Sequence, residues 1–158
     1  MFKKILVPLD GSPLAAKILP QVVDLAKTHD AELTLLYVYY TEVGETSPQV
    51  MQEAVAQEKK RCELFLGQTA KDLGAQGVKV SIACVEGHPA REIIGYAVTH
   101  GMDLIAMATH GKGEVAWVLG SVAEKVVSHS PVPVLLHRVV EVKPLLLKED
   151  PYFTRGLP

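Results

Sequence analysis

The strongest constraint in this sequence is an alternation. Short, almost continuously apolar runs are separated by longer segments whose apolar residues recur with helical period. Five runs stand out: Ile5–Leu9, Leu33–Tyr39, Val78–Val85, Leu104–Thr109 and Val132–His137. A strand wet on one face alternates apolar and polar residues, whereas one covered on both faces is apolar nearly throughout. The runs therefore predict an α/β fold, a five-stranded parallel sheet with helices on both faces in a Rossmann-like arrangement.

Four helices fill the intervals. The first starts at Ser12-Pro13, a cap followed by proline at the first helical position, and carries a Leu14, Ile18, Val22, Leu25 stripe to near His29. The second runs from Ser47-Pro48 to about Asp72, with Met51, Val55, Cys62, Leu66 and Leu73 on its apolar face and Gly74 and Gly77 as its stop. Its Lys59-Lys60-Arg61 run, flanked by Glu58 and Glu63, reads as a solvated helix surface. The third spans about Pro89 to His100, and the fourth about Ser121 to Ser128.

Composition enters as a set of exclusions. A chain of 158 residues, 48% hydrophobic, can bury a core that needs neither disulfide nor metal. Sixteen basic against eighteen acidic side chains leave a formal charge of −2, which argues against a nucleic-acid binder working through a broad basic face. No apolar run approaches the roughly 18 residues of a membrane helix. Pro8 and Asp10 interrupt the opening segment before it can act as an export signal. Cys62 and Cys84 stand in no metal-ligand spacing and read as reduced thiols of a cytoplasmic protein. One domain is expected over 1–138. The C-terminal extension 139–158 is broken by Pro144, Pro151, Gly156 and Pro158.

In open parallel sheets ligands bind beyond the carboxyl ends of the strands, where strand order reverses. Strand one delivers Pro8, Leu9 and Asp10 to that edge, strand two Val38, and strand four Met107, Ala108, Thr109 and His110. Gly111, Gly113 and Gly120 then lead to Ser121 at a helix start. There, backbone N–H groups and the helix dipole favour an anion such as phosphate. An ordinary glycine-shaped turn with Ser121 as a simple cap is the competing reading. Gly113 after Gly111-Lys112 excludes a Walker loop, and Ala116 together with placement after the fourth strand excludes the dinucleotide fingerprint.

The blocks KKILVPLDGS at 3–12, EGHPAREI at 86–93, MATHG at 107–111, GSVAEKV at 120–126 and PVPVLL at 131–136 together resemble the universal stress protein family. The resemblance covers residues 2 to about 138. It implies a parallel α/β sandwich of the adenine-nucleotide-binding type and a stress-response regulator. It also implies a homodimer through the last strand, here Pro131–Val142. Its nucleotide-binding branch implies ATP or a related adenine nucleotide, at a site where Pro8, Leu9, Ala108 and His110 of the strand ends join the positions that match the branch, Asp10, Val38, Met107, Gly111, Gly120, Ser121 and Val122. Of these, Asp10 would meet the ribose or a magnesium-bound phosphate, the Val38 backbone and Met107 the adenine, and the last four the phosphates. The chain has Ala108 where that branch has a glycine, and eight residues between Gly111 and Gly120 where it has nine. A nucleotide-free dimeric interaction protein therefore stays open as the alternative.

Catalysis lacks a visible constellation. No histidine pair brackets a glutamate in zinc-protease spacing, and neither Ser12 nor Ser121 sits in a Gly-x-Ser-x-Gly elbow; both read as helix caps. His110 reads as a solvent-facing loop residue sooner than a phosphate donor. The expectation is no enzymatic activity beyond a trace of metal-dependent ATP hydrolysis at Asp10, with neither nucleic acid nor membrane as partner.

Overall fold

The structure is a computed structural model that describes residues 1–40, 47–110 and 119–139. Its elements follow in the order β1 (Lys4–Leu9), α1 (Pro13–Ala16), α2 (Leu19–His29), β2 (Glu32–Tyr39), α3 (Pro48–Gly74), β3 (Lys79–Glu86), α4 (Pro89–Thr99), β4 (Leu104–Ala108), α5 (Ser121–His129) and β5 (Val134–His137). The five strands form one parallel sheet in the order β3-β2-β1-β4-β5. From β1 the chain winds outward through β2 to β3, then crosses back to place β4 on the other side of β1. The reversal therefore falls between β1 and β4.

Alternate residues of each strand feed two cores. Ile5, Val7 and Leu9 of β1, Leu33 and Leu35 of β2 and Ala106 of β4 pack against Ile18, Val22 and Ala26 of the α1–α2 segment and Cys62 and Leu66 of α3. Leu6, Leu36, Ile105 and Met107 point the opposite way, onto Ile93 and Ala97 of α4 and Ala123 and Val126 of α5. With a period of two along a strand, a sheet apolar at every position must be covered twice. The expected doubly covered sheet is the one observed.

Three local expectations need correction. The first helix is two, because Pro20 stands in the first turn of α2. Proline has no N–H to give the carbonyl four residues back, and its ring crowds that carbonyl, so the helix closes at Ala16 and restarts at Leu19. β3 is an edge strand and is only partly covered, leaving Ile82 40% exposed. Cys62 and Cys84 are not separate thiols but a disulfide joining α3 to β3, with Cα atoms 6.1 Å apart. A residue inside a helix and one on the strand that follows it share one interior face, a proximity that residue counting cannot reveal.

At the amino edge of the sheet, the Asp103 carboxylate accepts hydrogen bonds from the N–H groups of Lys3 at 2.7 Å and Lys4 at 2.9 Å. These two bonds, the Lys3 one foremost, hold its carboxyl below the ordinary value and tie the start of β1 to the start of β4. At the opposite edge, where the strands end, the described residues line a cavity.

Candidate functional site

Beyond the carboxyl ends of β1 and β4 lies a cavity of about 450 Å³, within the range of small-molecule sites. Pro8, Leu9 and Asp10 form one wall, Tyr37 and Val38 a second, and Met107 to His110 a third. Pro89 and Ile93 of α4 and Gly120 to Ala123 of α5 complete it. The cavity is apolar where Val38, Ile93 and Met107 meet and polar where α5 begins. Its described lining contains neither lysine nor arginine.

Each wall is set by local chemistry. Gly11 turns the chain out of β1 with φ +78°, and the Tyr37 ring lies 3.5 Å from where a Cβ would sit there. Asp10 Oδ1 accepts the Ser12 N–H at 2.9 Å, and Ser12 Oγ accepts the Ala15 N–H at 3.1 Å, so Ser12 caps α1 as expected. At the end of β4, Thr109 donates its N–H to the His137 carbonyl at 2.9 Å. Its own carbonyl accepts the Gly120 N–H at 2.9 Å. The chain that leaves β4 at His110 thus returns to the same point at Gly120 and enters α5 facing the cavity.

Two readings of single residues change here. Ser121 does not cap α5: Gly120 occupies the N-cap position, no side chain caps the helix there, and Ser121 is its exposed first residue. The N–H groups of Ser121, Val122 and Ala123 precede the first intrahelical bond, which runs from Glu124 to Gly120. His110 is not a solvent-facing loop residue; it is 4% exposed, with Nδ1 2.9 Å from Thr109 Oγ1. Continuation of the β4 ladder through Thr109 draws it inward.

Of the eleven residues expected at the site, ten line this one cavity, and Gly111 falls outside the described residues. Tyr37, Pro89 and Ile93 were missed. Tyr37 carries a faint signal, since it is the strand neighbour of Val38, but its ring turns toward the α3 side while Val38 faces α4. Among the described residues no group of three or more histidine, cysteine or acidic side chains is placed to hold a metal ion.

The family model of the universal stress proteins matches residues 1–138. The chain belongs to that family. It is 36% identical to universal stress protein YxiE of Bacillus subtilis over 148 residues, covering 87% of this chain and all of that one. The solved structure of MJ0577 from Methanocaldococcus jannaschii superposes with a TM-score of 0.82 at 31% identity, over 90% of this chain and 99% of that one. A family member from Arabidopsis thaliana, solved with AMP bound, shares the fold at a TM-score of 0.64 and 16% identity, over 95% of this chain and 98% of its own. In this universal stress protein the described residues include no helix long and apolar enough to cross a membrane.

Proposed function

We propose that this protein binds an adenine nucleotide, ATP foremost, in the crevice between β1 and β4, and acts in the cytoplasm as a stress-response regulator without substantial catalysis. The observation that carries the reading is the cavity itself: an apolar slot at the sheet's reversal point that ends on the uncapped start of α5. The adenine fits between Val38 and Met107, where main-chain groups at the end of β2 can read its edge. Phosphates meet the N–H groups of Ser121 and Val122, because the Gly120 N–H is already given to Thr109. The Asp10 carboxylate faces the ribose, and suits a magnesium ion carried in with the phosphates, since magnesium commonly takes one or two carboxylates alongside them. An Arabidopsis relative of the same fold holds AMP.

Ser12 Oγ, the serine hydroxyl nearest Asp10 in sequence, is engaged in capping α1. Regulation then requires a partner that prefers one of the loaded and empty forms, since nucleotide indifferent to shape switches nothing. A second copy of the chain docks through Pro131–Val142, where β5 is an edge strand among the described residues and Leu135 is 39% exposed. Isothermal titration with ATP, ADP and AMP tests the ligand. Saturable heat at protein concentrations of about 100 μM is expected, and its absence for all three favours the nucleotide-free interaction protein.

A further inference from the structure

The disulfide is the feature that the binding reading leaves unused. Cys62 is 2% exposed on the inner face of α3, and Cys84 lies partly exposed on β3, the edge strand. Tyr37 links both to the cavity. Tyr37 is the register partner of Cys84 on the neighbouring strand and packs on the same face of the sheet. Phe65, one turn along α3 from Cys62, meets the Tyr37 ring edge-on, with centroids 6.1 Å apart and planes at 67°. Tyr37 in turn lines the cavity and lies against Gly11, beside Asp10. The bond thus joins the two elements, α3 and β3, that hold the outer side of this wall in place.

We propose that Cys62–Cys84 is a reversible thiol–disulfide exchange site that sets the Tyr37 wall of the crevice, closed and rigid when the bond is formed and loosened when it is open. The proposal rests on the crevice being the ligand site. Its co-reactant is a dithiol. One thiolate attacks Sγ of Cys84, the more accessible partner on the edge strand, and displaces Cys62 as a thiolate that takes up a proton. The second thiol, after losing its proton, attacks the outer sulfur of the mixed disulfide and releases Cys84. The protein gains two electrons and two protons, and the dithiol leaves as a disulfide. Exchange with a small disulfide such as glutathione disulfide runs the sequence backward. In a reducing compartment, disulfides that persist only transiently are the ones that sense redox state. Opening this one frees α3 to move relative to β3.

The test compares the full chain after glutathione disulfide with the same chain after dithiothreitol, thiols being counted by maleimide mass shift. Zero reactive thiols are expected in the first state and two in the second. Amide hydrogen exchange over residues 33–39 should be faster in the reduced state, and ATP affinity lower by about fivefold or more. A Cys62→Ser, Cys84→Ser double variant should give one affinity under both conditions. The proposal is overturned if two thiols remain after oxidation, if exchange at 33–39 is the same in both states, or if ATP binds both states equally. Exchange that responds to reduction in a protein binding no nucleotide at all supports the coupling of the pair to Tyr37 and overturns only the ligand assigned to the crevice.

Discussion

Gly120 and Ser121 are adjacent, yet the structure gives them opposite tolerances. A Cβ on Gly120 would stand 2.9 Å from the Thr109 carbonyl oxygen, a backbone atom fixed by its place beside β4. Gly120→Ala should therefore cost about 1–3 kcal/mol, the usual range for overpacking, and lower Tm. Ser121→Glu adds a carboxylate to the exposed first position of α5, where the helix dipole welcomes it. That variant should melt no lower than wild type but bind ATP about tenfold more weakly, because its charge occupies the phosphate end. Thermal melts and titrations on the two proteins separate shape from charge; a Ser121→Glu protein with unchanged affinity would place the phosphates elsewhere. At this scale the sequence was readable for the placement of Asp10, Val38 and Met107 at the cavity, which follows from their position at strand ends. It misled for Ser121 and His110, because the cap position and the inward turn of His110 depend on where the chain re-enters after β4.

The elements were legible where local chemistry decides them. Strand runs and the Ser-Pro starts of α1 and α3 followed from the apolar period and from prolines at first-turn positions. The break between α1 and α2 was written in Pro20 and needed only the rule that an interior proline ends a helix. The α3–β3 disulfide was not legible, since no spacing in the chain encodes that Cys62 of the helix faces Cys84 of the strand after it. Its effect on stability is calculable. Closing a loop of sequence separation 22 removes unfolded-state entropy worth about 3 kcal/mol. For a domain of this size, reduction should lower Tm by roughly 6–12 °C in calorimetry with and without dithiothreitol. Equal melting temperatures would mean that the bond constrains nothing in the unfolded chain.

On the scale of the whole molecule, one topological fact organises the rest: the strand order 3-2-1-4-5 reverses between β1 and β4, and the cavity opens there. The same order puts β5 at an edge, where the proposed dimer would pair. Val140→Pro, which removes a donor from the proposed pairing segment, should shift the sedimentation profile from dimer to monomer; an unchanged profile would move the interface away from Pro131–Val142. Doubly covered strands told the sheet's class from sequence. The meeting of Tyr37, Val38, Met107 and Ser121 around one void came from the order of the strands, which periodicity does not contain. Backbone amide resonances of the isotope-labelled protein, followed as ATP is added, report where the nucleotide sits. Binding in the crevice predicts that the largest shifts fall on Asp10, Val38, Ser121, Val122 and Ala123. Shifts absent from these five, or confined to the β5 edge, would contradict it.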